Sequence, residues 1–260
     1  MVALPLAYDR FWPEDSARSV DAEEALDRFR DENSVPASTA PAATSPVEST
    51  LPTMAVATPE AGVYRYATEG TESVDLLGGA THTYPAETLL TVVDRGCGAL
   101  LRWDVLKERF DEWNICATPD GITWQPTDMA WYHEFFGNGR RELTECDRAA
   151  LVVPTDFMPR APQALDCTCD GRPWPAVWEV IGSETRVVDG VEVPVMHVRL
   201  SINREGELYE RAVSDWWFAA SGLPVAMTST KESRADSGVI GAVTYTETYS
   251  AELVSLSPLT

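Results

Sequence analysis

Lysine is nearly absent from this 260-residue chain: Lys107 and Lys231 are the only two, and arginine supplies the other cations. Against 20 Lys and Arg stand 41 Asp and Glu, a formal net charge of −21. Nucleic-acid binding needs clustered cations to neutralise phosphates, and charge-driven adhesion to anionic lipid needs the same. The balance points away from both. Histidine is also scarce: His82, His133 and His197 are the whole set, without metal-ligand spacing. His133-Glu134 opens like the zinc-protease helix motif, but Gly137 stands where the second histidine is required. No phosphate-cradling loop, dinucleotide fingerprint or nucleophile elbow is present, and Gly78-Gly79 reads as a loop. Cys167-Thr168-Cys169 is a C-x-C, without the spacing of a zinc or thioredoxin-like site. No cofactor and no metal are expected.

A long apolar run is missing too. Met1 to Tyr8 is apolar but far short of the roughly 20 residues that cross a bilayer, and no basic stretch precedes it. It is either an ordinary apolar start or the tail of a signal anchor whose first part lies upstream. The second reading is favoured, because the stalk that follows has little use on a compact cytosolic protein. A membrane would then be a partner only through that upstream anchor.

What is present builds a core. The chain is 44% hydrophobic, with nine Trp, eight Tyr and seven Phe, a globular composition. Abundant Ala, Val, Asp and Thr with few lysines suggests a GC-rich genome. Residues 1–32 form an N-terminal segment with a short amphipathic helix. Asp21 and Glu24 have capping-box spacing, and Ala22, Ala25, Leu26 and Phe29 share one face. Acids open the helix, and Arg28 and Arg30 close it, as the helix dipole favours. Residues 33–59, rich in Pro, Ala, Ser and Thr and without an aromatic residue, read as a disordered linker. Fully extended, such a spacer reaches roughly 80 Å.

From residue 60 to 257 the pattern changes to short alternating runs broken by Gly, Pro, Asn and Asp, which predicts antiparallel strands. Tyr64, Tyr66 and Thr68 share a face, as do Leu90 and Val92. Met196, Val198, Leu200 and Ile202 form another, opposite His197, Arg199 and Ser201. Val243, Tyr245, Tyr249, Ala251 and Leu253 form a third. Asp189-Gly190 is a two-residue hairpin signal. One hairpin can be registered by its charges. Pairing Arg102 with Asp111, Asp104 with Arg109 and Trp103 with Phe110 also sets Cys97 opposite Cys116. A helix over 105–113 is the competing reading. Of five cysteines, Cys97 with Cys116 is thus one predicted bridge. Cys146 with Cys167 or Cys169 is the other, with Cys169 taken as the partner. Bridges imply an oxidising compartment.

Glu247 interrupts the apolar face between Tyr245 and Tyr249. A carboxylate there needs a partner or has a raised pKa. It reads either as a core glutamate tied to an arginine or tyrosine hydroxyl, or as a ligand contact or general acid. Trp124, Trp131, Tyr132, Phe135 and Phe136 cluster, as do Trp216, Trp217 and Phe218. They are core, or they line a pocket for an apolar ligand.

Two stretches carry a resemblance. Gly62-Val-Tyr-Arg-Tyr66 through His82-Thr-Tyr-Pro85 to Cys97, Trp113 to Cys116 and His133 to Gly137, with the helix, resemble uncharacterised membrane-anchored proteins of actinobacteria. Asp215-Trp-Trp-Phe-Ala-Ala-Ser-Gly-Leu-Pro-Val225 and the strand after it are similar to the lipoprotein-carrier superfamily. That likeness implies a strongly curved antiparallel sheet that holds acyl chains, and carries over no functional residue.

The sequence therefore predicts an all-β domain, a curved antiparallel meander or half-barrel, preceded by a short helix and a disordered linker. The leading expectation is a non-enzymatic, extracytoplasmic, membrane-tethered domain that binds a lipid or other apolar ligand through Trp131, Phe135, Trp217 and Glu247. The alternatives are an envelope protein-interaction or cell-wall-binding module, and a hydrolase of unrecognised type.

Overall fold

The computed structural model describes residues 17–34, 57–125, 127, 129–206, 208–236 and 241–260. The apolar start and most of the linker read over 33–59 lie outside the described residues. The remainder is β-dominated, as the alternation predicts. In chain order the strands are β1 (Gly62–Val74), β2 (Ala80–Thr83), β3 (Glu87–Arg95), β4 (Gly98–Leu106), β5 (Arg109–Thr118), β6 (Gly121–Trp124), β7 (Met129–Phe135), β8 (Asn138–Cys146), β9 (Ala150–Pro154), β10 (Arg160–Leu165), β11 (Cys167–Cys169), β12 (Arg172–Pro173), β13 (Ala176–Val188), β14 (Val191–Arg204), β15 (Leu208–Ala219), β16 (Pro224–Asp236) and β17 (Ala242–Leu253). One helix, α1 (Ala22–Ser34), precedes them.

Every pairing is antiparallel. β13 to β17 form a meander of long strands. β17 then pairs with β1, and β1 with β3, joining the two ends of the domain. The sheet runs on through β4 to β5, which forks: its start pairs with β7 and its end with β6. Long, strongly twisted antiparallel sheets curl, and this one closes to a half-barrel. At the far side the indole N–H of Trp178 on β13 donates to the Leu151 carbonyl of β9 at 2.8 Å. Trp103, Trp178, Tyr66 and Leu101 are fully buried inside. Asp189 and Gly190 both take positive φ, 48° and 78°, and close Val188 onto Val191, which is the two-residue turn expected there.

The helix starts as the sequence predicts, with Glu24 N–H donating to Asp21 Oδ1 at 2.8 Å. Three turns are marginal alone. Here Ala25 is buried against Val63 and Leu89, with Leu26 and Phe29 packed alongside. Glu24 pairs with Lys107 at 2.6 Å, Arg28 with Asp104, and Arg18 with Glu108 at 2.5 Å. The helix is clamped to the β4–β5 hairpin.

That hairpin forms, and no helix covers 105–113, but its register differs by one residue from the charge-based pairing. Arg102 faces Glu112, Trp103 faces Asp111 and Asp104 faces Phe110. The turn is Lys107-Glu108, and a bulge between Asp104 and Leu106 absorbs the offset. A one-residue slip exchanges faces. The predicted register would set Glu112 and Asn114 opposite Leu101 and Ala99; the observed one sets Trp113 and Ile115 there, both buried. Burial of two large apolar side chains outweighs two surface-type ion pairs, each worth less than about 1 kcal/mol. Cys97 still bridges Cys116.

The second bridge joins Cys146 to Cys167, and Cys169 is free. The choice of Cys169 is corrected by register: Cys167 lies directly opposite Cys146 between β11 and β8, whereas Cys169 lies opposite Thr144.

Candidate functional site

The half-barrel encloses a cavity of about 520 Å³, within the range of roughly 300–1,000 Å³ typical of small-molecule sites. Its walls are layered by the strand register. Trp216 and Met227 face each other at depth, with Trp103, Trp113 and Trp124 among the neighbouring lining residues. Next comes a row of hydroxyls, Ser214, Ser229 and Tyr249. Ser214 and Ser229 are hydrogen-bonded at 2.8 Å. Above them Ala212, Lys231 and Glu247 are aligned, then Glu210, Ser233 and Tyr245, and at the rim Leu208, Ala235 and Val243. The depth is aromatic, and the outer half carries a charged belt.

The belt is anchored on Arg109, whose side chain is only 2% exposed. It bonds both oxygens of Asp111, at 2.8 and 3.1 Å, and Glu247 Oε1 at 3.0 and 3.1 Å. Glu72 lies 3.7 Å away. The Tyr84 hydroxyl donates to Glu247 at 2.5 Å, and the Tyr245 hydroxyl to Glu72 at 2.7 Å. Buried His82 bonds Glu72 through Nδ1 at 2.7 Å. Burial pushes the Asp111 carboxyl above its usual range, against the pull of Arg109. Burial, with Glu247 next in effect, holds the Tyr84 phenol well above its usual range. A second group joins Glu210 to Arg204 at 3.0 Å and Lys231 at 3.4 Å, with the Trp174 indole N–H at 3.1 Å. Lys231 sits 3.8 Å over the Trp131 ring, a favourable cation–π placement.

His133 faces Arg109 across β7 and β5 and packs on Trp131 at 4.3 Å. Burial first, then the positive charges of Arg109, Lys231 and Arg140, lowers its pKa to about 3. At neutral pH it is an uncharged imidazole of very low basicity.

Trp131, Phe135 and Glu247 all lie in the cavity wall. Trp217 does not. It points outward from β15, stacks on His197 at 4.6 Å and lies under Arg186 at 4.1 Å. Adjacent residues of a strand face opposite sides, so Trp216 takes the interior and Trp217 the exterior. Arg109, Asp111, Glu72, Lys231 and Glu210 were not singled out as site residues from the sequence. For all but Lys231 the signal available was the one that marked Glu247: charged residues set in phase with apolar ones on a single strand face. Among the described residues no group of three His, Cys, Asp or Glu side chains is arranged to hold a metal ion, and no helix is long and apolar enough to cross a membrane.

No known protein family, curated protein or solved structure matches the chain.

Proposed function

We propose that the protein is a non-enzymatic, extracytoplasmic binding domain that takes one small amphipathic molecule into the half-barrel. The apolar part lies among the deep tryptophans and the polar part at the charged belt. The observation that carries this reading is the cavity, aromatic at depth and ionic toward the rim. Hydrolysis is disfavoured by the same belt: Glu247, Asp111 and Glu210 are all engaged by cations, and a histidine with a pKa of about 3 is a poor general base at neutral pH. The two disulfides support an oxidising compartment.

Tryptophan fluorescence tests the proposal. Titration with fatty acyl compounds brominated along the chain should quench saturably, because Trp103, Trp113, Trp124 and Trp216 line the cavity. Quenching that rises linearly without saturation, identical to that of free tryptophan, would reject it.

A further inference from the structure

With 41 acids to 20 Lys and Arg, nearly every cation has found a carboxylate. Among the described residues each lysine and arginine forms an ion pair except two, Arg172 and Arg234. Both are exposed. Arg172 lines the cavity, whereas Arg234 lies between Ser233 and Ala235, whose side chains face the interior, so its own is turned to the outer face. Arg172 lies on β12 opposite Cys169 of β11, and Arg234 on β16 between Tyr209 and Thr244. The fields of Asp170 and Asp75 reach them, but neither acid is in contact. Asp170 is bonded to Arg140 and the Leu143 N–H, and Asp75 to the Thr244 N–H.

The acids of the same wall are engaged. Asp111 and Glu247 hold Arg109, Glu112 holds Arg102 and Arg141, Glu142 holds Arg140, and Glu210 holds Arg204 and Lys231. A charged molecule entering the cavity therefore finds no uncompensated carboxylate, and one uncompensated guanidinium, that of Arg172. A cationic head would have to displace an existing pair. An anionic head would gain charge-assisted hydrogen bonds without breaking any.

We infer that the ligand of this cavity is an anionic amphiphile, whose phosphate or carboxylate is held at the rim by Arg172. The inference rests on the binding reading above and specifies its head group. In a chain of net charge −21 this arginine also has a kinetic part, giving an anion a local point of entry on an otherwise repelling surface.

The test is calorimetric titration of the full chain with four probes: dodecyl phosphate, a dodecyl glycoside and dodecyltrimethylammonium, each below its micellar concentration, and inorganic phosphate. Dodecyl phosphate should bind at least about tenfold more tightly than the glycoside, the scale of a charged hydrogen bond. The ammonium should bind worst. In the variant Arg172→Gln the phosphate advantage should vanish while glycoside affinity stays unchanged. Equal affinity for phosphate and glycoside, or an advantage that survives Arg172→Gln, overturns the head-group assignment and leaves the cavity reading standing. Inorganic phosphate binding as tightly as dodecyl phosphate overturns the amphiphile. No binding of any probe, the glycoside included, overturns the cavity reading itself.

Discussion

Replacing Arg109 with methionine keeps an unbranched apolar stem and removes the charge that holds the belt together. Asp111 and Glu247 would lose four charged hydrogen bonds at one stroke, about 3–5 kcal/mol for removal of one partner of a buried charged group. For a domain of this size that corresponds to a fall in melting temperature of roughly 6–20 °C. The pH dependence has a definite sign. Without the guanidinium, the buried carboxyls have folded-state pKa values above their unfolded values near about 4. The folded variant then holds more protons than the unfolded chain, so its stability falls as pH rises from about 4 towards neutrality. Unfolding followed by circular dichroism at pH 5 and pH 7 should show a larger deficit at pH 7, and Glu247→Gln in the same chain should recover part of it. An Arg109→Met protein that melts within about 2 °C of the parent at pH 7 would refute the reasoning.

Three further outcomes are expected. His133 has a depressed pKa of about 3 against about 6.5 unfolded, so its contribution to stability is complete above pH 6.5 and is lost as pH falls toward 3. His133→Phe should flatten that acid limb, and a parent and variant with parallel pH profiles would contradict it. Alkylation of unfolded, non-reduced protein made in an oxidising compartment should label Cys169 alone, and Cys146→Ala should cost about 3 kcal/mol in urea unfolding, as expected for a loop of this size; label on Cys167 would contradict the pairing. Gly98→Ala should destabilise markedly, because a Cβ there would collide with the Ile115 carbonyl and the Cys116 backbone; an unchanged midpoint would show that the hairpin yields.

The local elements were legible because local chemistry dictates them. Asp21 and Glu24 set the start of the helix, Asp189-Gly190 a turn, and alternation the buried faces of β1, β14 and β17. The β4–β5 register was misread because charge pairs were given more weight than the side on which Trp113 falls. The choice of Cys167 over Cys169 depends on a strand pairing, β8 with β11, that no local pattern announces. The belt was hidden for the same reason. Glu72 meets Tyr245 across 173 residues and Arg109 meets Glu247 across 138, contacts that exist only once the sheet has curled. Glu247 was visible because it breaks an otherwise apolar face, and Glu210 shows the same break between Leu208 and Ala212, whereas Lys231 lies between Ser229 and Ser233, where no apolar pattern marks it. Trp216 and Trp217, read as one cluster, are divided between inside and outside by the two-residue period of a strand.

Occupancy of the cavity is the claim on which the rest depends. Native mass spectrometry of the full chain, purified from an oxidising compartment with total lipid extract, reads it directly. The account predicts one discrete added mass in the lipid range on the parent protein, lost when Ser214→Phe fills the cavity below the belt while the melting temperature holds. A clean apo mass, or an adduct unchanged in the filled variant, would contradict it.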